Sequence, residues 1–180
     1  MNKIYFDLES TGLNIYKDRI VQVGVVIQGD NYYKERQVKI NPGVNISQKT
    51  SDIHGITNEM VIDCPKFIEV APKIQRIFNG GDVIIGYNSK RFDINLLNVE
   101  MIRAGYEIDE KAHIDVFELW NRLDPPQSRG GRKLKDCYRH FTGNELEGAH
   151  DALVDIIGTK ICLEKMMERY NFNLEDCINF

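Results

Sequence analysis

The first third of the chain alternates apolar runs with turn residues, a pattern typical of β-strands. Strands are predicted at Ile4 to Glu9, Arg19 to Gln28 and Tyr32 to Ile40, because β-branched and aromatic residues are frequent in each run. Glycine and asparagine separate the runs, and the segment Asn41-Pro42-Gly43 ends the series. The pattern predicts an antiparallel meander.

The rest of the chain alternates helical periodicity with short strands. Residues 46 to 65 have few periodic apolar positions and are predicted to be loop with short helical turns. A helix is predicted over Lys66 to Phe78, and a buried strand over Asp82 to Tyr87, a short apolar run between turn residues. The remaining predicted elements are a helix from Phe92 to Gly105, a brief strand from Ala112 to Val116, and helices over Phe117 to Leu123, Leu134 to Phe141 and Asp151 to Tyr170.

This order of elements predicts the fold class. A meander followed by strands that alternate with helices indicates an α/β fold, with a mixed sheet of antiparallel and parallel strands covered by helices. Residues 125 to 133 contain two prolines and two glycines and are predicted to lack regular structure. Because no linker separates two cores, residues 1–180 are predicted to form a single domain.

Composition limits the function classes. A formal net charge of −4 argues against a protein that coats nucleic acid, but it permits an enzyme with a local basic patch. The four cysteines show no C-x-x-C spacing, so neither a zinc site nor a disulfide framework is indicated, and a reducing compartment is expected. Apolar runs are too short to span a bilayer, so we expect a cytoplasmic protein without membrane partners.

Two acids in the first predicted strand are the first candidate chemistry. Asp7 and Glu9 are one residue apart, so alternation places both side chains on one face of the strand. Two carboxylates in a strand with core character are costly unless a cation lies between them, and Mg²⁺ prefers such oxygen ligands. The alternative is a strand end that reaches solvent, and the spacing alone leaves both open.

Further acids follow later elements. Asp93 comes after the strand Asp82 to Tyr87, in the first turn of the next helix, where ligands bind in open α/β sheets. Its alternative role is to complement the helix dipole. His150 precedes Asp155 by five residues, about 500° of helical rotation, so His150 is expected at the junction of loop and helix. Asp151 and Asp155 are four residues apart, and periodicity allows either as a ligand.

Three segments together resemble the exonuclease motifs of the DEDDh family of 3′-to-5′ exonucleases. That family includes the proofreading subunit of bacterial replicative DNA polymerase and the oligoribonucleases. The matching segments are Asp7-Leu8-Glu9-Ser10-Thr11-Gly12, Asn88-Ser89-Lys90-Arg91-Phe92-Asp93, and His150 with Asp155. The stretch His54-Gly55-Ile56-Thr57 is similar to the family's connection between its first two motifs. In order, the match extends from Ile4 to about Lys165.

The resemblance implies a ribonuclease H-like fold, with the first strand central and the acids at one end of the sheet. It implies two bound Mg²⁺ or Mn²⁺ ions and a histidine general base. The implied metal ligands are Asp7, Glu9, Asp93 and Asp155, and the implied base is His150.

Two positions qualify the match. The family pattern selects Asp155 as the ligand, which leaves Asp151 as an N-cap or first-turn acid. Tyr87 stands where many relatives have histidine, a change expected to affect only local hydrogen bonding. Asp115 resembles a recurrent family acid and is predicted either to support a metal ligand through a hydrogen bond or to be structural.

The resemblance also suggests substrate contacts. Relatives place backbone and an apolar side chain against the terminal nucleotide at the positions of Gly12 and Leu13. The other expected contacts are His54, Ile56 and Asn88, together with the basic residues Arg129, Arg132 and Lys133. The basic cluster fits a phosphate backbone, although a solvated face is the alternative.

These features predict a metal-dependent 3′-to-5′ exonuclease that releases nucleoside 5′-monophosphates from single-stranded ends, with DNA favoured over RNA. A polymerase would be its partner in proofreading. One alternative is an oligoribonuclease-like RNA-trimming enzyme, because nothing in the motifs reads the 2′-hydroxyl group. A non-catalytic nucleic-acid-binding or polymerase-associated module is the other, but a pure binder has no need of four converging acids.

Overall fold

A computed structural model describes residues 1–125, 132–148 and 151–178. Its sheet has the order β3-β2-β1-β4-β5, with β1 in the centre. The first three strands pair antiparallel, whereas β4 runs parallel to β1 and β5 runs parallel to β4. The strands are β1 (Lys3–Ser10), β2 (Ile20–Gln28), β3 (Tyr33–Lys39), β4 (Val83–Gly86) and β5 (Ala112–Asp115). The predicted meander and mixed sheet are confirmed.

Helices cover both faces of this sheet. In chain order they are α1 (Gln48–His54), α2 (Asn58–Val61), α3 (Phe67–Asn79), α4 (Asp93–Arg103), α5 (Val116–Leu123), α6 (Leu134–Thr142), α7 (Ala152–Tyr170) and α8 (Leu174–Ile178). The helical turns expected within residues 46 to 65 are α1 and α2. Helix α8 was not predicted, since five residues are too few to show periodicity. The segment 126–131 of the predicted irregular stretch lies outside the described residues.

Strand β1 is buried on both faces, which makes it a rigid base for its acids. Ile4, Phe6 and Leu8 pack in a core with residues of α3 and α4. Tyr5 packs on the other side, in a core that includes Ile156 of α7. Because successive side chains alternate, Asp7 and Glu9 lie on the same face as Tyr5, towards α7.

The cysteines and the helices agree with what the composition indicated. All four cysteines are free thiols, and three of them are buried. Within the described ranges, no helix has the length and apolarity that crossing a membrane requires.

Candidate active site

The predicted acids come together at one edge of the sheet. Strands β1 and β4 are parallel, so their carboxyl ends lie at the same edge. Asp7 and Glu9 occupy this end of β1, and Asp93 is the first residue of α4, which follows β4. Asp155 lies in the first turn of α7, the helix that packs against β1 and β2. Three distant parts of the chain therefore contribute carboxylates to one place.

Burial raises the pKa values of Asp7, Glu9 and Asp93, and neighbouring carboxylates add to the rise. The pKa of Asp7 lies well above its usual range, first because the group is buried and then because of the charges on Asp93, Glu9 and Asp155. Burial also raises the pKa of Glu9 to about 8, with further contributions from Asp155 and Asp93. The pKa of Asp93 rises to about 7, again mainly through burial. The carboxylates therefore share one electrostatic site.

The carboxylates nevertheless stand apart. In the part of the chain that the structure describes, no three His, Cys, Asp or Glu side chains are arranged closely enough to hold a metal ion. Like charges in a buried environment repel one another, which favours this separation. A cation would have to draw the carboxylate oxygens inwards.

The raised pKa values predict how stability depends on pH. The pKa of Glu9 rises from its usual 4.5 to about 8 on folding, so between these values the folded chain holds a proton that the unfolded chain has lost. Protonation therefore stabilises the fold, and this stabilisation disappears as the pH rises through the window. We expect the melting temperature in EDTA to fall from about pH 5.5 to about pH 8.5. Differential scanning calorimetry tests this expectation.

Added Mg²⁺ should reverse the trend, since only ionised carboxylates bind it. The Mg²⁺-induced rise in melting temperature should be larger at the higher pH, and Glu9→Gln should reduce the difference. An equal rise at both pH values would contradict a site in which Mg²⁺ competes with protons.

A glycine in β2 allows α7 to approach the acids. Gly24 pairs directly with Asp7. A Cβ atom at Gly24 would lie 2.9 Å from both the Cβ of Ala152 and the Cδ1 of Ile156, two residues near the start of α7. Only glycine leaves room for this contact, which brings Asp155 towards β1. Gly24 was not among the predicted site residues, because an isolated glycine in a strand does not reveal what packs against it.

The predicted role of Asp151 as a helix cap is confirmed. Its side chain accepts hydrogen bonds from the backbone N–H groups of Leu153 (3.0 Å) and Val154 (3.3 Å). Its charge still adds to the rise in the pKa values of Asp7 and Glu9. Asp151 therefore lies beside the site, and its carboxylate oxygen is already used to cap α7.

Asp115 holds the loop that leads to Asp93. Its carboxylate accepts hydrogen bonds from Asn88 N (2.8 Å) and Lys90 N (3.0 Å), and it also caps α5 through Phe117 N (3.0 Å). Asn88 has a φ of 54°, a left-handed conformation that these contacts help to hold. The hydrogen bonds agree with the structural role predicted for Asp115.

Tyr87, which stands where many relatives have histidine, takes part only in local contacts, as expected. Its hydroxyl group donates a hydrogen bond to the carbonyl oxygen of Arg132 (3.0 Å), and its ring lies 5.7 Å from that of Phe117. The residue thus connects the end of β4 to the segment before α6. Neither contact involves the four acids.

The loop after β1 presents the predicted contacts Gly12 and Leu13. A Cβ atom at Gly12 would lie 2.6 Å from the carboxylate of Asp18, so the tight loop requires glycine there. Asp18 also accepts a hydrogen bond from the Thr11 hydroxyl group (2.9 Å), which closes the loop. Leu13 is 85% exposed and is free to contact a ligand.

His54 and Ile56 lie in and after α1, close to this loop. The Thr50 hydroxyl group of α1 donates to the carbonyl oxygen of Thr11 (3.2 Å), which links the two segments. His54 is buried, and its Nδ1 accepts a hydrogen bond from Ile56 N (3.0 Å). Ile56 packs in a small apolar core with Val21. Substrate contacts of both residues stay predictions.

The predicted basic cluster is only partly described. Arg129 lies outside the described residues, as does the predicted general base His150. Arg132 and Lys133 are exposed next to the start of α6. Arg139 is engaged in ion pairs with Glu145 and Asp136.

The fold and its acidic edge define the class of protein. A mixed sheet of order β3-β2-β1-β4-β5, flanked by helices, is the ribonuclease H-like exonuclease fold. A family model described as Exonuclease matches residues 4–160. The chain belongs to this family of DEDD 3′-to-5′ exonucleases, which are phosphodiester hydrolases.

Similar proteins are found among both polymerases and nucleases. The PolC-type DNA polymerase III of Oceanobacillus iheyensis is 32% identical over 167 residues, which cover 92% of this chain but 11% of that protein. The corresponding polymerase of Streptococcus suis is 31% identical over 173 residues, 93% of this chain and 12% of that protein. The chain thus spans about a ninth of the length of these relatives.

Solved structures confirm the fold. E. coli exonuclease I in complex with a dT13 oligonucleotide has a TM-score of 0.79 and 20% identity, over 93% of this chain and 41% of that one. Exonuclease X in complex with 5′ overhanging duplex DNA has a TM-score of 0.70 and 22% identity, over 98% of both chains.

Proposed function

We propose that this chain is a divalent-metal-dependent exonuclease that removes nucleoside 5′-monophosphates from the 3′ end of single-stranded DNA. The observation that carries the proposal is the closeness of the acids to one another. In addition to burial, the charges of Asp93, Glu9 and Asp155 all raise the pKa of Asp7. A cluster of carboxylates lowers the stability of the fold, and its negative charge is suited to binding a cation. The DNA in the complexes of the similar nucleases supports DNA as the polymer.

The chemistry of the acids fits hard divalent cations. Carboxylate oxygens are the ligands that Mg²⁺ prefers, and Mn²⁺ accepts the same set. Burial and neighbouring carboxylates disfavour the charged forms of Asp7 and Glu9, and a bound cation would favour those forms. We propose that Asp7, Glu9, Asp93 and Asp155 hold two such ions. When bound, the ions would neutralise charge on the phosphate and stabilise the leaving alkoxide.

Other residues would position the reactants. Strand β1 fixes Asp7 and Glu9 because it is buried on both faces. The loop with Gly12 and Leu13 would receive the terminal nucleotide against backbone and an apolar side chain. His150 would act as general base and take the proton of the attacking water, a role for which histidine is the side chain most often used.

The proposal extends to the context of the enzyme. The similarity to segments of PolC-type polymerases supports a DNA polymerase as a partner. The two cores that share β1 support one exonuclease domain over residues 1–180. The free thiols support a cytoplasmic location.

Hydrolysis of end-labelled oligonucleotides tests the proposal. Single-stranded DNA and RNA of the same sequence, labelled at the 5′ end, would be incubated with Mg²⁺, Mn²⁺ or EDTA. We expect stepwise shortening of the DNA with release of deoxynucleoside 5′-monophosphates, and no reaction in EDTA. Since DNA is the proposed polymer, RNA should react more slowly, and this difference would reveal a contact that senses the 2′-hydroxyl group.

Two results would overturn parts of this proposal. Hydrolysis that persists in EDTA would remove the metal-dependent mechanism. Faster hydrolysis of RNA than of DNA would favour the oligoribonuclease-like alternative. A substrate blocked by a 3′-phosphate group is the matched control for attack from the 3′ end.

A further inference from the structure

A second charged site lies behind the loop that joins β1 to β2, on the side of the sheet covered by α3 and α4. It is a cavity of about 330 Å³ whose lining includes Arg19, Lys66, Arg103 and Glu100, and we call it the basic cavity. These four side chains carry three positive charges and one negative charge. The chain as a whole has a net charge of −4, so this is a local reversal of sign.

The two arginines of the basic cavity are held in place by a buried carboxylate. Glu100 is 2% exposed, and its Oε1 lies 2.6 Å from Arg103 Nη1 and 3.4 Å from Arg19 Nε. Arg103 also donates hydrogen bonds to the backbone carbonyl groups of Tyr16 and Asp18. A single carboxylate cannot neutralise two guanidinium groups, so a fixed positive charge remains.

Lys66 adds a further positive side chain. Within the described ranges Lys66 forms no ion pair, and the buried Nε atom of Arg19 has no hydrogen-bond partner there. Lys66 directly precedes α3, and the carboxylate of Glu69 in the first turn of this helix accepts a hydrogen bond from Lys66 N (2.6 Å). The positive charge of the cavity therefore comes from its side chains and not from the helix terminus. The basic cavity thus offers the Lys66 ammonium group and the Arg19 Nε donor, which the described residues leave without an ion pair or a hydrogen bond respectively.

The basic cavity lies close to the acidic edge. Thr11 follows Glu9 by two residues, and its N–H group donates a hydrogen bond to the carbonyl oxygen of Arg19 (2.9 Å). The backbone of Arg19 is thus within about 12 Å of Glu9, a span that a short oligonucleotide covers. The lining also includes Val44 and Ile68, which are 49% and 57% exposed. Such apolar surface suits sugars and bases.

We propose that the basic cavity binds an internal phosphate group of the substrate strand, on the 5′ side of the nucleotide that is removed. The inference rests on the proposed function and extends it to a second contact with the polymer. Positive charge beside exposed apolar side chains suits a nucleic-acid strand better than an isolated ion. The cavity would hold the strand in register while the 3′ end lies at the acids.

Equilibrium binding in EDTA tests this contact without catalysis. The dissociation constant of fluorescent dT12 would be measured by anisotropy over a range of salt concentrations, for the wild type and Lys66→Gln. Lys34→Gln is the matched control, since Lys34 lies near the start of β3, at the other edge of the sheet. We expect Lys66→Gln to weaken binding about two- to fivefold, as for an exposed ion pair. The slope of log K against log salt should become shallower by about 0.7.

A second variant shows whether a change in binding comes from the basic cavity as a whole or only from the surroundings of Lys66. Arg19→Gln should change affinity and salt slope in the same direction, with circular dichroism to confirm the fold. Unchanged slopes in both variants, as in Lys34→Gln, would overturn the proposal. Displacement of dT12 by millimolar inorganic phosphate or dTMP in the wild type alone would also overturn it, because the occupant would then be a small phosphate compound.

The test separates this inference from the proposed function. If the wild type hydrolyses 3′ ends but Lys66→Gln binds like Lys34→Gln, the phosphate contact fails and the function stands. If the wild type hydrolyses nothing but Lys66→Gln shows the shallower slope, the function fails and the strand contact stands.

Discussion

The Asp7→Asn variant should lose 3′-end hydrolysis by about 10³-fold, the largest effect that we expect from a single substitution. Asp7 is half-buried beside the other carboxylates, and the substitution removes one ionisable group without changing the size of the side chain. The lost charge weakens cation binding at the centre of the site. The rate constant for release of dNMP from labelled DNA, measured at saturating Mg²⁺, tests this expectation.

Thermal stability provides an independent measure of the same variant. Because Asp7 is half-buried next to other acids, its replacement by a neutral amide should leave the melting temperature in EDTA unchanged or higher. The stabilisation that Mg²⁺ confers on the wild type should be largely absent. Asp63→Asn, at an exposed acid, is the matched control and should keep both activity and Mg²⁺ stabilisation.

An active Asp7→Asn variant that retains its Mg²⁺ stabilisation would show that the cation binds elsewhere. Loss of activity together with a lower melting temperature in EDTA would show that Asp7 serves mainly to hold the fold.

Asp155→Asn and Asp151→Asn should have very different effects, although the two acids are one helical turn apart. Asp155→Asn should reduce the hydrolysis rate by about 10²- to 10³-fold, because it removes a proposed metal ligand. Asp151→Asn should keep the rate within about threefold, since asparagine caps helices as well as aspartate does. Rates and melting temperatures of both variants would be measured side by side with the wild type.

Asp151→Ala completes this comparison. It should lower the free energy of unfolding by about 1 kcal/mol, because Leu153 N and Val154 N lose their cap. Urea denaturation measures this change. An inactive Asp151→Asn beside an active Asp155→Asn would exchange the proposed roles of the two acids.

Local patterns were enough to predict most of the fold. Each strand lies within one residue of its predicted bounds, because alternating and β-branched runs reflect the pleat directly. The same alternation predicted that Asp7 and Glu9 share a face, and Tyr5 in the α7 core agrees with this. The helix bounds within residues 46 to 65 could not be predicted, because α1 and α2 are too short to show a periodic pattern of apolar residues.

The ligand roles came from a different source. From spacing alone, Asp7 could also lie at a solvent-exposed strand end, and Asp93 could merely complement the helix dipole. Spacing also allowed either Asp151 or Asp155 as the metal ligand. The ordered resemblance to the exonuclease motifs selected among these alternatives. The structure then showed the electrostatic coupling of the carboxylates and the capping hydrogen bonds of Asp151.

The sequence by itself determined which residues form the strands and helices and which acids stand at their ends, because these properties depend on neighbours along the chain. Only the tertiary structure decided how the acids meet. Gly24 admits α7 to β1, and Asp115 holds the loop before Asp93. The same holds for the basic cavity, where Glu100 orders Arg19 from 81 positions away. Contacts between distant residues follow from packing in three dimensions, which no periodicity along the chain records.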